Sequence, residues 1–180
     1  ELYLKRLAVG GMPKIFEMNR NFRNEGADAT HNPEFTSLEA YQAYADYVDM
    51  RILAREVILD TAVAVHGAPV ALRPIPGDAT GAMERVALDG EWPVIPVHEA
   101  VSRASGTALT SASSAADVAA VCRTHGLHVD PDASAGELVL ELYDALVEKQ
   151  TVLPTFYTDF PVETSPLTRV HRLDPRLSER

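Results

Sequence analysis

Two stretches of the chain carry side chains of the kind that hold charged ligands. They are Asn21-Phe22-Arg23-Asn24-Glu25-Gly26 and His31-Asn32-Pro33-Glu34-Phe35-Thr36-Ser37-Leu38-Glu39-Ala40-Tyr41. Along an extended strand alternate side chains share a face. Phe35, Ser37, Glu39 and Tyr41 therefore fall together, and so do Glu17, Asn19, Asn21 and Arg23. If the two segments pair as a hairpin with those faces together, one surface presents a guanidinium, carboxylates, an aromatic ring and a phenol. Such a surface suits a ligand that joins an anionic phosphate, a flat base and a cationic amine. The plain alternatives are a surface ion pair at Arg23, a core ring at Phe35 and a solvated carboxylate at Glu39.

The elements that must position these residues follow from periodicity. Leu2 to Val9 reads as the end of a helix closed by Gly10-Gly11. From Lys14 to Phe22 the even positions Phe16, Met18, Arg20 and Phe22 are largely apolar, while Glu17, Asn19, Asn21 and Arg23 are polar. Period two with one wet face predicts a strand of an antiparallel sheet. Asn24 to Pro33 is rich in turn formers and reads as loop, and Glu34 to Tyr44 as the returning strand. Tyr47 to His66 is the best helix, with Met50, Leu53, Val57, Ile58, Thr61 and Val65 on one face and Gly67 and Pro69 ending it. Pro74 to Gly81 reads as loop. Asp89-Gly90 between Met83–Leu88 and Trp92–Ile95 predicts a hairpin. Helices are expected at Val97–Ala104, Ser114–His125 and Ala135–Lys149, with Ser102–Ser114 a surface connection. Thr155–Phe160 is expected to be a strand and the remainder irregular.

With 180 residues, 46% hydrophobic and 23% charged, the chain has the composition of a globular domain. It has no apolar run long enough to cross a membrane. It opens without Met and in mid-pattern, which reads as a piece of something longer. The net charge of −10 repels phosphate backbones overall, so any RNA contact made here must be local. The single cysteine, Cys122, lies in an Ala/Val-rich stretch and is expected to be a small buried residue in a protein of a reducing compartment. His66, His98, His125, His128 and His171 show no metal-ligand spacing, and Asp130, Asp132 and Glu137 lack the glycine and spacing of a calcium loop. No metal-binding residue is expected within the chain.

Arg23-Asn24-Glu25 and His31-Asn32-Pro33-Glu34-Phe35-Thr36 resemble motif 2 of the class II aminoacyl-tRNA synthetases, with wording similar to the lysine-specific members. Glu1 to Gly11, Tyr44-Ala45-Asp46-Tyr47, Leu153-Pro154-Thr155-Phe156 and Ser165-Pro166-Leu167-Thr168-Arg169 extend the likeness over most of the chain. It is looser from Gly67 to Gly136. Gly90-Glu91-Trp92-Pro93-Val94 and Pro154 to Pro161 resemble a narrower group, in which a lysyl-tRNA synthetase-like domain is fused to a membrane lysylphosphatidylglycerol synthase.

The resemblance implies an α+β fold, an antiparallel β-sheet flanked by helices, incomplete in this chain. It implies one catalytic domain fragment over 1–180, divided into 1–66 (motif 2 hairpin and following helix), 67–152 (hairpin and helical segment) and 153–180 (strand and tail). The implied activity is ATP-dependent activation of lysine to lysyl-adenylate and its transfer to tRNA(Lys), for translation or for lysylphosphatidylglycerol synthesis. In that reaction a carboxylate attacks phosphorus in line and both reactants are anionic. A fixed cation lowers their repulsion and no nucleophilic side chain is needed. Arg23 is implied as the catalytic residue, gripping the α-phosphate and the substrate carboxylate. Glu25, His31 and Asn32 close over ATP, and Phe35 stacks on adenine. Glu39 holds the α-amino group of lysine, Tyr41 lines the lysine pocket, and Glu1 is a further carboxylate near the amino acid.

Mg²⁺ is implied as a cofactor with ligands outside the chain. The dimer-forming motif 1, the arginine-bearing motif 3 and an N-terminal anticodon-binding domain are absent from the sequence. The fragment alone is therefore expected to be inactive and the full-length protein a homodimer. The implied location is cytoplasmic, with a membrane tether where a lysyltransferase domain is fused. The competing reading is a non-catalytic or protein-lysylating synthetase paralogue. Intact Arg23, Glu25, Phe35 and Glu39 weigh against the first of these.

Overall fold

The period-two segment from Lys14 forms a strand, and the returning segment from Glu34 is its partner. Strand β1 (Lys14–Phe22) and strand β2 (Glu34–Gln42) pair antiparallel in an unbroken register: Ile15 opposite Tyr41, Glu17 opposite Glu39, Asn19 opposite Ser37, and Asn21 opposite Phe35. The structure, a computed structural model, describes all residues except Glu25, Asp28, Ala29, Thr30, Pro76 and Gly77. The described residues divide into two compact units, Glu1–Met50 and Arg51–Arg180.

In the first unit, helix α1 (Leu2–Val9) packs on β1 and β2 and buries Leu4. The chain then reverses through Gly11, whose φ of +99° suits a residue without a Cβ. The polar side of the hairpin was expected to be the wet one. Instead Glu17, Asn19, Asn21, Ser37, Glu39 and Tyr41 are half-buried, and the apolar side carries the exposure: Phe16 71%, Met18 67%, Phe22 73% and Leu38 50%. The returning strand ends at Gln42 rather than Tyr44, because Tyr44 turns into the left-handed region at φ 58°.

Helix α2 (Tyr47–His66) forms as the periodicity requires, but the expected buried face does not. Ala62 alone is buried, and Val57, Ile58 and Val65 are 38%, 46% and 67% exposed. The helix is apolar around most of its circumference, so the pattern does not single out one stripe.

The hairpin expected around Asp89-Gly90 is not formed. Strand β4 (Met83–Ala87) pairs antiparallel with β3 (Val70–Pro74), a strand not expected from the sequence, and Pro74 belongs to that strand rather than to a loop. Asp78 closes the turn by accepting from Thr80 and Ala82 amides. Strand β5 (Val94–Pro96) pairs in parallel with β6 (Phe156–Thr158). Pro93 has no N–H to extend a ladder back to β4. Trp92 Nε1 donates to Leu88 O at 2.8 Å instead, and Arg55 Nη2 to Gly90 O at 3.1 Å.

Between β5 and β6 lie α3 (Val97–Ser105), α4 (Ala115–Thr124) and α5 (Ala135–Leu146). Helix α3 runs past Ser102 into the expected connection, whose Leu109 is buried. Helix α5 ends three residues before Lys149, and a 3₁₀ turn follows at Glu148–Gln150. Ser114 with Asp117 and Ser134 with Glu137 form capping boxes at the starts of α4 and α5. Glu137, one of the three acids set beside a calcium loop, is thus a capping group. The three helices close a core of Val97, Val101, Val118, Cys122, Val139 and Leu142, each under 2% exposed. Burial pushes the Cys122 thiol up.

The strand expected over Thr155–Phe160 is broken at Asp159, where φ is 58°. Strand β7 (Phe160–Pro161) resumes and pairs with β8 (Leu177–Ser178), so the tail is more ordered than its composition implied. Arg172 fixes the tail by binding both oxygens of Glu179, from Nε at 2.5 Å and Nη2 at 3.0 Å, and holds that carboxyl down to about 2.

Candidate functional site

The site is the half-buried face of β1 and β2. Its rows, set by the register, run from Ile15 and Tyr41, through Glu17 and Glu39, Asn19 and Ser37, and Asn21 and Phe35, to Arg23, whose backbone N–H donates to Pro33 O at 2.9 Å. Successive rows are about 7 Å apart, two residues of an antiparallel strand. The face therefore has a cationic end and an anionic end, with neutral polar side chains between them.

At the cationic end the Arg23 guanidinium carbon lies 5.3 Å from the centroid of the Phe35 ring. Strand pairing brings the two together from opposite sides of the loop. An arginine over an aromatic face keeps its N–H groups directed outward in its own plane, the geometry in which a guanidinium can hold a bidentate anion. Asn32 Oδ1 accepts from the Glu34 amide at 3.4 Å, which holds it at the start of β2. His31 is exposed beside it. Glu25 lies outside the described residues.

At the anionic end the Tyr41 hydroxyl donates to Glu39 Oε2 at 3.3 Å. Burial, and then the neighbouring Glu39 and Glu1 carboxylates, push the Tyr41 phenol up, so it stays protonated and a donor. The Glu1 side chain pairs with Lys5, whose Nζ is 6.0 Å from the Tyr41 ring centroid. Hydrogen bonding from Lys5 holds the Glu1 carboxyl down.

The hairpin brings Arg23, Phe35, Glu39 and Tyr41 to one face, and α1 adds Glu1. Two features were not singled out from sequence. Lys5 reaches Tyr41 from α1, and the i, i+4 spacing of Glu1 and Lys5 was the available signal. Asn19, Asn21 and Ser37 form a closed set of hydrogen bonds: Asn21 Nδ2 to Ser37 Oγ at 2.5 Å and to Asn19 Oδ1 at 3.1 Å, and Ser37 Oγ to Asn19 Oδ1 at 3.0 Å. Among the described residues no group of three or more His, Cys, Asp or Glu side chains could hold a metal ion. On the two strands the described carboxylates of this face are the cross-strand pair Glu17 and Glu39. Also among the described residues, no helix is long and apolar enough to cross a membrane.

The family described as tRNA synthetases class II (D, K and N) matches residues 1–180. The chain is 53% identical over its whole length to the lysylphosphatidylglycerol biosynthesis bifunctional protein LysX of Gordonia bronchialis, and 51% to that of Nocardia farcinica. It is 47% identical to the LysX of Mycobacterium tuberculosis. In each case the match covers 100% of this chain and 16% of the relative, so the chain spans about one sixth of the length of these proteins.

Proposed function

The chain belongs to the class II tRNA synthetases (D, K and N), and we propose that the β1–β2 face binds ATP and lysine side by side and joins them as lysyl-adenylate for transfer to tRNA(Lys). The single observation that carries this reading is the polarity of the face: Arg23 against Phe35 at one end, Glu39 with the Tyr41 hydroxyl at the other. A substrate pair with a phosphate and a base at one side and an ammonium at the other matches that order.

In this reading Arg23 is the catalytic residue. Its guanidinium holds the α-phosphate and the lysine carboxylate, offsets their repulsion, and stabilises the charge that builds as oxygen attacks phosphorus and pyrophosphate leaves. Phe35 stacks on adenine. Its other face is already backed by Arg23, which fixes the ring before the ligand arrives. Glu25, His31 and Asn32 close the ATP side. Glu39 accepts the α-ammonium of lysine, Tyr41 keeps the Glu39 carboxylate oriented through its hydroxyl, and Glu1 adds a further carboxylate at that end. ATP is a substrate. Mg²⁺ is proposed as an accompanying ion held elsewhere than on this face, and no step above runs through it.

The names of the LysX relatives, and their much greater length, support placing this activity in a larger protein that also makes lysylphosphatidylglycerol. Lysyl-tRNA formed at this site would then feed a fused membrane lysyltransferase, with the synthetase part on the cytoplasmic side. The assembly proposed is a homodimer, and 1–66, 67–152 and 153–180 are proposed as successive parts of one catalytic domain.

The test is ATP–pyrophosphate exchange by the full-length protein with each proteinogenic amino acid in turn. Lysine is expected to give the highest rate. A higher rate with another amino acid would overturn the specificity, and no exchange with any would favour the non-catalytic paralogue.

A further inference from the structure

The second unit holds a pocket of about 450 Å³ that no step proposed above uses. Sites for small ligands span about 300–1,000 Å³. Asp89-Gly90-Glu91-Trp92, part of its lining, carried the signal for a hairpin that does not form. Its aromatic side is fixed. Trp92 Nε1 donates to Leu88 O at 2.8 Å, and the indole centroid lies 5.4 Å from that of Phe156 with the planes 36° apart. Phe156 is set by the β5–β6 pairing and donates its backbone N–H to Pro93 O at 2.8 Å. Arg51 and Arg55, one turn apart on α2, also line the pocket. Arg55 is held in place: its Cζ lies 5.7 Å from the Trp92 ring centroid and its Nη2 donates to Gly90 O at 3.1 Å. Arg51 is half-buried, and among the described residues it makes no hydrogen bond or ion pair. Asp89 and Glu91 share the pocket, yet among the described residues neither is paired with an arginine.

A guanidinium partly withdrawn from water, with its N–H groups unpaired, is satisfied by an anion. Fixed aromatic rings take a flat ring, and exposed carboxylates accept from amino groups. A bare anion would leave the aromatic side unused, and an apolar ligand would leave Arg51 unpaired. A nucleotide supplies all three parts: a phosphate, a base and, on adenine, guanine or cytosine, an exocyclic amine. Stacking of a base on an aromatic side chain contributes about 1–3 kcal/mol and needs a base that is not inside a duplex. The net charge of −10 repels a phosphate backbone over most of the surface. An RNA contact is therefore confined to places that offer an unpaired cation, and Arg51 is one.

Resting on the transfer to tRNA proposed above, we infer that this pocket is an RNA subsite that takes one unpaired nucleotide of the tRNA. Arg51 holds the phosphate. The base lies against Trp92 and Phe156, and its exocyclic amine donates to Asp89 or Glu91. Arg55 is a positioning residue: it holds the Gly90 carbonyl and backs the indole, and its charge offsets one of the two carboxylates. The subsite makes and breaks no bond. Adenylate formation uses lysine and ATP alone, so the subsite bears on the transfer step and not on activation.

The experiment uses the full-length protein and its variants R51A, R51K and W92L. Two reactions are compared, lysine-dependent ATP–pyrophosphate exchange without RNA and lysylation of tRNA(Lys), with thermal unfolding followed in parallel. R51A is expected to raise the KM for tRNA about tenfold and to leave exchange within about twofold. It should also lower the slope of log affinity for tRNA against log salt by about one, the loss of one phosphate contact. R51K should restore most of the affinity, because a phosphate needs the charge. W92L should raise the KM for tRNA about tenfold with the salt slope unchanged, because stacking is uncharged. An R51A protein with unchanged KM for tRNA or unchanged salt slope would overturn the subsite. So would exchange that falls as far as lysylation does. If W92L lowers the melting temperature, R51A and R51K decide alone. If the unsubstituted protein shows no exchange, the proposed function fails. The subsite is then decided by equilibrium binding of the tRNA, where weaker binding by R51A with a shallower salt slope supports it and equal binding overturns it.

Discussion

The hairpin unit, Glu1–Met50, and the three-helix segment, Val97 to Val147, solve opposite problems. The helices α3, α4 and α5 bury Val97, Val101, Val118, Cys122 and Leu142 completely and close their own core, with two capping boxes marking where α4 and α5 begin. The hairpin buries only Leu4 among its described apolar side chains, leaves Phe16, Met18 and Phe22 at least two-thirds exposed, and half-encloses its polar residues instead. Stability within the second segment comes from apolar burial. Within the first, order comes from strand pairing and side-chain hydrogen bonds, and the enclosed polar groups are the ones a charged ligand needs. The difference teaches that substitutions in the two regions should separate: chemistry lost without stability in one, stability lost first in the other.

The largest separation is expected at Arg23. Arg23→Ala in the full-length protein should lower lysine activation by about 3–4 kcal/mol of transition-state stabilisation, read as kcat/KM in pyrophosphate exchange, with little change in melting temperature. Next is a matched pair of leucines. Leu142→Ala, at a site with no exposure, should cost about 3 kcal/mol of unfolding free energy, whereas Leu38→Ala, 50% exposed within its own unit, should cost under about 1 kcal/mol. Denaturant titration decides between them. Comparable losses would mean that the exposed side of the hairpin is covered in the full-length protein, and would sharpen the contrast into one between a self-made and a shared core. Smaller again is the cap of α5. Ser134→Ala should cost about 1 kcal/mol, because it frees the Glu137 amide and removes the Ser134 hydroxyl's bond to the Glu137 carboxylate.

The smallest expected effect is on pH dependence. Hydrogen bonding from Arg172 holds the Glu179 carboxyl at about 2, below its value in an unfolded chain. A depressed carboxylate stabilises the fold fully above about pH 4.5, and that contribution is lost as pH falls toward about 2. Asp174, held down by Arg176 and Ser111, acts in the same direction. Arg172→Ala should flatten the acid limb of the stability curve and leave the neutral region almost unchanged. An acid limb identical to that of the unsubstituted protein would remove this contact from the stability of the tail.

How much of this was legible in the sequence depended on how local the cause was. The alternation at Lys14 to Phe22 and the turn-rich loop before Glu34 set the β1–β2 hairpin, and with it the face shared by Arg23, Phe35, Glu39 and Tyr41. Helix starts at Ser114 and Ser134 are written in four residues each, from the capping serine to its acidic partner. The parallel pairing of β5 with β6 is not, because its partners lie on either side of the whole helical segment. The Asp89-Gly90 signal misled because Trp92 turns back to Leu88 and Pro93 cannot continue a ladder. Strand β3 (Val70–Pro74) is not legible because a strand of five residues, just after Gly67 and Pro69, shows too little alternation. The hydrogen-bonded set of Asn19, Asn21 and Ser37 depends on rotamers, which no spacing encodes.

The central claim is that one face takes both substrates at once, and a non-hydrolysable lysyl-adenylate analogue tests it most directly. In equilibrium binding to the full-length protein, the analogue should displace both ATP and lysine with a single affinity. Arg23→Ala and Glu39→Gln should each weaken it, Arg23→Ala through the phosphate end and Glu39→Gln through the amine end. An analogue that displaced only one substrate, or that bound both variants as tightly as the unsubstituted protein, would contradict it.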